Sequence, residues 1–237
     1  MFSLKNYNFI LNHIHFLSKK TILIAVTKSQ ELSKINLLIE TNHFHFGENK
    51  VQEASLKWKS LVSKNPKLQL HLIGKLQSNK AKDAFEIFHY IHVLDNEKLA
   101  QIFAKLESNS LKKIKYFVQV NVGNEPQKNG ISINKLNEFV KYCVNDLKLN
   151  VIGLMCIPPF DSDPTQHFKH LSELANENNL KENNINKILP SNVVDTFINF
   201  QLSVTGDQVQ SELGIKPGPE MGKTIEKMEI DNFNKLL

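Results

Sequence analysis

Apolar and polar positions fall into two alternating regimes along this chain: short unbroken apolar runs, and longer stretches in which apolar residues return every three or four positions. The first run, Ile22-Leu23-Ile24-Ala25-Val26, is bounded by polar residues and ends in Thr27-Lys28. It predicts a strand buried on both faces, as in a parallel sheet covered by helices. Leu32, Ile35, Leu38 and Ile39 then recur at helical intervals, and Phe44-His45-Phe46-Gly47 predicts a second strand. Val51, Ala54, Trp58 and Leu61 share the next helical face. The pairing repeats with residues 70–74 before Ala81, Ala84, Phe85 and Phe88, and with residues 90–94 before a helix over 96–107. Residues 116–122 precede Ile133, Leu136, Phe139, Val140 and Cys143. Residues 151–157 precede a helix with Asp163 as N-cap and Pro164 in its first turn. Six consecutive βα units predict a parallel sheet, and the chain length favours an α/β barrel of the TIM type over an open sheet.

The alternation lapses after about Leu180. Residues 181–199 are rich in Asn and Lys, and Gly206, Gly214, Pro217, Gly218, Pro219 and Gly222 punctuate turns rather than a strand. The chain therefore divides into a barrel over residues 1–180 and an atypical C-terminal segment over 181–237, so the barrel is incomplete or unusual at its last units.

With 237 residues and 41% hydrophobic content the chain buries a full core without disulfides or metal. Cys143 and Cys156 lie in apolar periodic segments and read as reduced core residues, which fits a cytoplasmic protein. Residues 1–20 lack the unbroken apolar core of a signal peptide, and no stretch approaches the roughly 20 apolar residues of a membrane span. The net charge of +5 comes entirely from lysine, with no arginine. Without arginine's bidentate fork, sequence readout of nucleic acid is disfavoured. His43 and His45 share a face if extended, but no third ligand stands at useful spacing, so no metal site is expected. Neither a glycine-rich phosphate loop near the amino end nor a Gly-x-Ser-x-Gly nucleophile occurs.

Polar residues gather where the apolar runs end: Thr27-Lys28, Gly47-Glu48-Asn49, Gly74-Lys75-Leu76-Gln77-Ser78-Asn79, Asp95, Asn121 and Met155-Cys156-Ile157-Pro158. In an α/β barrel all of these face one mouth, where ligands bind. A half-buried lysine there sheds hydration and offers a nucleophilic amine, whose natural product with a carbonyl compound is a Schiff base. The alternative is a lysine whose head reaches solvent.

Ala25-Val26-Thr27-Lys28, Phe46-Gly47-Glu48-Asn49-Lys50-Val51-Gln52-Glu53, His71-Leu72-Ile73-Gly74-Lys75-Leu76-Gln77-Ser78-Asn79-Lys80, Val118-Gln119-Val120-Asn121-Val122 and Gly153-Leu154-Met155 stand in the order seen in pyridoxal phosphate homeostasis proteins, and the chain resembles that family. The family is similar to the N-terminal barrel of alanine racemase and binds pyridoxal 5'-phosphate. The resemblance implies that Lys28 carries the cofactor as a Schiff base, that Asn49 and His71 line the pocket, and that Asn121 and Met155 stand nearer its wall. From the residues alone, Asn49 is equally a helix cap, and His71 equally a hydrogen-bonded core histidine.

The likeness breaks near the end. Where the family has a Leu-Ser-Met-Gly-Met-Ser strand and an Arg-Ile-Gly-Thr segment that hold the phosphate, this chain has Leu202-Ser203-Val204-Thr205-Gly206-Asp207 and no arginine segment. Ser203 is the expected contact that survives. The string Leu213-Gly214-Ile215-Lys216-Pro217-Gly218-Pro219-Glu220-Met221-Gly222-Lys223 is similar to the tail of tRNA nucleotidyltransferases. The function implied is a cytoplasmic, non-catalytic carrier that holds pyridoxal 5'-phosphate and passes it to acceptor apo-enzymes, with no membrane or nucleic-acid partner. Two alternatives are a racemase-like enzyme, for which 237 residues leave no separate β domain to supply a second acid/base, and an RNA-associated chimera acting through the tail.

Overall fold

The computed structural model describes residues 4–17, 21–159 and 162–180. They belong to the first of two units into which the chain divides, Met1–Asp195. Expectations for Ser203, for the tail and for the boundary at residue 180 lie outside the described residues.

A helix, α1 (Leu4–Leu17), precedes six βα units. The strands are β1 (Ala25–Val26), β2 (His45–Glu48), β3 (Gln69–Leu72), β4 (Tyr90–Leu94), β5 (Lys115–Val120) and β6 (Val151–Cys156). The helices that follow them are α2 (Leu32–Glu40), α3 (Val51–Lys64), α4 (Ala81–Ile87), α5 (Glu97–Ser108), α6 (Ile133–Lys141) and α7 (Pro164–Glu177). Every neighbouring pair of strands is parallel, in the order β1-β2-β3-β4-β5-β6. This is the architecture of an α/β barrel of the TIM type, seen over six units.

The reasons these residues form these elements are local. Asn96 accepts from the Leu99 amide at 2.9 Å and starts α5, and Asp163 accepts from the Thr165 amide at 3.0 Å ahead of Pro164. Both side chains satisfy amides that a helix start leaves unpaired. The expected apolar faces are the buried ones: Val51, Ala54 and Trp58 on α3, and Leu136, Phe139 and Val140 on α6. Helix α6 runs on into a wider turn over Tyr142–Asp146, which keeps Cys143 buried.

Two expectations need correction. The first apolar run pairs with β2 only over Ala25–Val26, with one further bond from the Thr27 amide to the Gly47 carbonyl at 2.9 Å. Its remaining residues are fixed by burial rather than by the ladder, as Leu23 and Ile24 are buried. His43 and His45 also do not act as a pair on one face, because β2 begins only at His45. His43 accepts or donates at Nδ1 to the Tyr7 hydroxyl of α1 at 2.9 Å and meets Phe46 edge-on. His45 instead reaches across to β3.

Both cysteines are free and buried, as expected of core residues. Burial pushes each thiol up to about 12. Among the described residues, no helix is long and apolar enough to cross a membrane.

Candidate functional site

Strand alternation sorts the inner from the outer face of the sheet. On β2, Phe46 packs on Trp58 of α3 with ring centroids 4.7 Å apart, so Phe46 and Glu48 face the helices. His45, Gly47 and Asn49 therefore belong to the inner face. A side chain added at Gly47 would meet Ile73 at 3.1 Å, Ile24 at 3.2 Å and Val26 at 3.4 Å, which places those three inside as well. Lys28 takes the inner position after Val26, because Thr27 turns outward to bond Glu48. Ring contacts continue the inner face to His71, Tyr90, His92 and Phe117, and register brings Gln119 opposite Met155. The alternation thus assigns Lys28, Asn49, His71, Asn121 and Met155 to one side of the sheet.

Their surroundings differ. Lys28 is half-buried at the end of β1, followed by Ser29 in the left-handed region at φ 57°. Asn49 is half-buried, and the N-cap position of α3 is Lys50, with no side-chain cap bond, so Asn49 does not serve that helix as its N-cap. Met155 is buried in β6. The Asn121 amide is engaged in both directions with the Glu125 backbone, donating to its carbonyl at 2.8 Å and accepting from its amide at 3.1 Å. It shapes the β5–α6 loop.

Gly74 marks a close approach between strand ends. A Cβ there would come within 2.8 Å of three Asn49 atoms, the carbonyl oxygen among them. Gly74→Ala is expected to push the β2–α3 turn off β3 and lower stability by about 1–3 kcal/mol, as overpacking does. Thermal unfolding checks this, and an unchanged midpoint would refute the close approach.

His71 lies in a column of three imidazoles spanning β2, β3 and β4. Its Nε2 is 3.0 Å from His45 Nδ1, and its Nδ1 is 2.9 Å from His92 Nε2. The ring also stacks on Tyr90 at 4.1 Å with an 11° tilt, and His92 stacks on Phe117 at 4.4 Å. One proton per ring satisfies both bonds whichever way the protons run, and leaves His92 Nδ1 buried without a partner. Burial holds His45 down to about 4 and His92 to about 3, and pulls His71 well below the usual histidine range, with the neighbouring histidines and Lys115 adding to it. The column is neutral near pH 7.

A second network, which motif reading passed over, lies on the outer face behind Lys28. Glu48 is fully buried, and its Oε1 accepts from Thr27 Oγ1 at 2.8 Å, Lys57 Nζ at 2.8 Å and Trp58 Nε1 at 2.9 Å. Lys57 also donates to the Thr27 carbonyl at 2.6 Å and to Glu53 Oε1 at 2.9 Å. Glu53 Oε1 accepts from the Ser29 amide at 2.5 Å. The hydrogen bond from Lys57 is the main reason the Glu53 carboxyl stays below its usual range. A buried carboxylate persists only when paired and hydrogen-bonded, and here Lys57 meets that need. The signal in the sequence is the phase of β2, which puts Glu48 on the same face as Phe46.

The alanine racemase N-terminal domain matches residues 5–191, and the chain belongs to that family. Within it, the chain is similar to the pyridoxal phosphate homeostasis protein of Buchnera aphidicola (subspecies Schizaphis graminum), 35% identical over 154 residues, covering 65% of this chain and 67% of the relative. That of Pasteurella multocida is 32% identical over 178 residues, 74% of this chain and 73% of the relative. Among solved structures, PipY of Synechococcus elongatus PCC7942 without PLP superposes with a TM-score of 0.63 at 30% identity, covering 70% of this chain and 78% of PipY. The same protein with PLP bound gives 0.62 at 29%, over 72% and 82%. Alanine racemase from Corynebacterium glutamicum shares the fold, with a TM-score of 0.52 at 12% identity over 68% of this chain and 46% of the racemase.

Proposed function

We propose that this protein is a carrier of pyridoxal 5'-phosphate that acts in cofactor homeostasis without catalysis, holding its ligand on Lys28. The observation that carries the reading is the placement of Lys28: an amine on the inner side of the sheet, at the strand end, whose flanking residues are pinned by Glu48, Glu53 and Lys57. The names of its relatives, and PLP bound in PipY, support the choice of ligand.

The described residues fit the aldehyde end of that cofactor. When bound, it supplies an aldehyde that an amine holds reversibly, and one water leaves as the carbon–nitrogen bond forms. Lys28 Nζ is the amine. Ile24, Val26 and Ile73 form an apolar cluster around Gly47 on the same side of the sheet, and Gly47 adds no bulk there. Asn49 is the polar neighbour proposed to orient the ligand, His71 is proposed to line the pocket with its ring while both its nitrogens stay bonded to His45 and His92, Met155 closes the opposite wall, and Asn121 acts through its loop. Ser203 is proposed as a phosphate contact from the resemblance alone. Transfer to acceptor apo-enzymes in the cytoplasm belongs to the same proposal.

Carrier and enzyme differ in one measurable property. Racemisation moves the α-proton of an amino acid and needs a second acid/base opposite the lysine. Both nitrogens of His71 bond the imidazoles of His45 and His92, and burial holds all three rings far below the ordinary histidine range, so the column offers no base poised near neutral pH. In D2O, the protein loaded with pyridoxal 5'-phosphate is expected to exchange the α-proton of L-alanine no faster than free cofactor does. Enzyme-like deuterium incorporation, read by NMR, would overturn the carrier reading.

A further inference from the structure

We propose that Glu48 is a positioning residue for Lys28: a buried carboxylate on the helix side of the sheet that fixes the strand-end turn before any ligand arrives. The inference rests on the carrier reading for its ligand, but its structural half stands without one.

Lys28 sits between Thr27, whose polar groups are all engaged, and Ser29, whose amide is held from α3. Before it, the Thr27 amide donates to the Gly47 carbonyl at 2.9 Å, its hydroxyl donates to Glu48 Oε1 at 2.8 Å, and its carbonyl accepts from Lys57 Nζ at 2.6 Å and from the Gln30 amide at 3.1 Å. After it, the Ser29 amide donates to Glu53 Oε1 at 2.5 Å. Ser29 is held at φ 57°, a conformation that a residue other than glycine adopts only when its surroundings impose it. The restraints converge on α3, since Glu53, Lys57 and Trp58 lie on that helix and Trp58 is fully buried in the core. Glu48 is the junction, because its single oxygen Oε1 gathers Thr27, Lys57 and Trp58.

The geometry has a direct consequence for a lysine that captures an aldehyde. Four methylenes give the amine wide freedom, and only the anchor can reduce the search for a reactive approach. A fixed anchor leaves the side-chain torsions as the remaining freedom. A loose turn adds the backbone torsions of residues 27–30, which slows attachment and weakens retention. Lys57, by contrast, spends its amine on Thr27, Glu48 and Glu53, so the same network that orients one lysine occupies the other.

The test uses the full chain with Glu48→Ala, Glu48→Gln and Thr27→Val, the last keeping side-chain size while removing the hydroxyl. Amide hydrogen exchange on the protein without ligand reads the turn itself. The Ser29 amide is expected to exchange at least tenfold faster in Thr27→Val and Glu48→Ala than in the wild type, while Leu99 and Ala100 in α5 keep their protection. Attachment of added pyridoxal 5'-phosphate at Lys28, followed by visible absorbance and mapped after borohydride reduction, is expected to slow tenfold or more in Glu48→Ala. Glu48→Gln, which keeps an acceptor for Thr27 and Trp58, is expected to recover part of that rate. Should Glu48→Ala fail to fold, Thr27→Val decides alone. Unchanged exchange at Ser29, or attachment at the wild-type rate in a folded variant, would overturn the proposal. If the wild type itself takes up no pyridoxal 5'-phosphate, the carrier reading fails, and the exchange experiment still decides whether Glu48 holds the turn.

Discussion

Lys28→Ala is expected to abolish covalent capture of pyridoxal 5'-phosphate. In the wild type, borohydride treatment of the loaded protein should leave the cofactor on the peptide carrying Lys28, and in the variant that adduct should vanish with the visible absorbance. Loss of the bond should weaken binding by at least about 100-fold, or roughly 2.7 kcal/mol. The informative competitor is Lys112. Burial lowers its amine to about 8, against a smaller opposing pull from Glu86, and it lies over the Phe85 ring at 5.6 Å while donating to the Glu86 carbonyl. Adventitious labelling under excess cofactor should therefore appear at Lys112 before other lysines. A wild-type adduct at Lys112 in place of Lys28, or a Lys28→Ala protein as yellow as the wild type, would remove Lys28 from the site.

Most of the barrel was legible in the sequence because its strands are short apolar runs whose ends carry polar residues. Residues 90–94 form a strand as the pattern demands, Asp163 caps the helix it was expected to cap, and Asn96 stands at the start of the helix expected from there and caps it. The same pattern put Lys28, Asn49, Asn121 and Met155 at strand ends that face one mouth, while a pocket place for His71 came from the family resemblance alone. It failed where chemistry depends on register between strands. His45, His71 and His92 are 26 and 21 residues apart, and only the parallel pairing of β2, β3 and β4 lines them up. Glu48 was read only as part of the strand end Gly47-Glu48-Asn49 that faces the mouth. Its burial follows from the phase it shares with Phe46 and from donors on a helix, Lys57 and Trp58, that no local pattern links to it. Asn121 was located correctly in the strand order, yet its amide bonds the Glu125 backbone, a local loop closure that strand patterning does not reveal.

The buried histidines make acid stability the second large expected effect. A histidine kept neutral in the fold takes up a proton in the unfolded chain near pH 6.5. Its contribution is therefore complete above about pH 6.5 and is lost as the pH falls toward the folded-state value. Burial, the largest cause in each case, holds His43 and His45 to about 4 and His92 to about 3. His71 lies well below its usual range, from burial first and then from His92, His45, His89 and Lys115. At pH 5.5 His43, His45 and His92 each cost about 1.4 kcal/mol, on the order of 4 kcal/mol together. His71 adds to this, whereas His89, also lowered to about 4, is more exposed and counts for less after solvent screening. A typical domain has only about 5–15 kcal/mol of stability in all, so the fold should weaken steeply between pH 6.5 and 5 while changing little between 7 and 8. Urea unfolding at a series of pH values measures the slope. His92→Phe, which keeps an aromatic ring against Phe117 and removes one titrating group, should make that slope shallower by about one proton. A stability flat from pH 7.5 to 5.5, or a His92→Phe slope equal to that of the wild type, would show that the imidazole column is not kept neutral by burial.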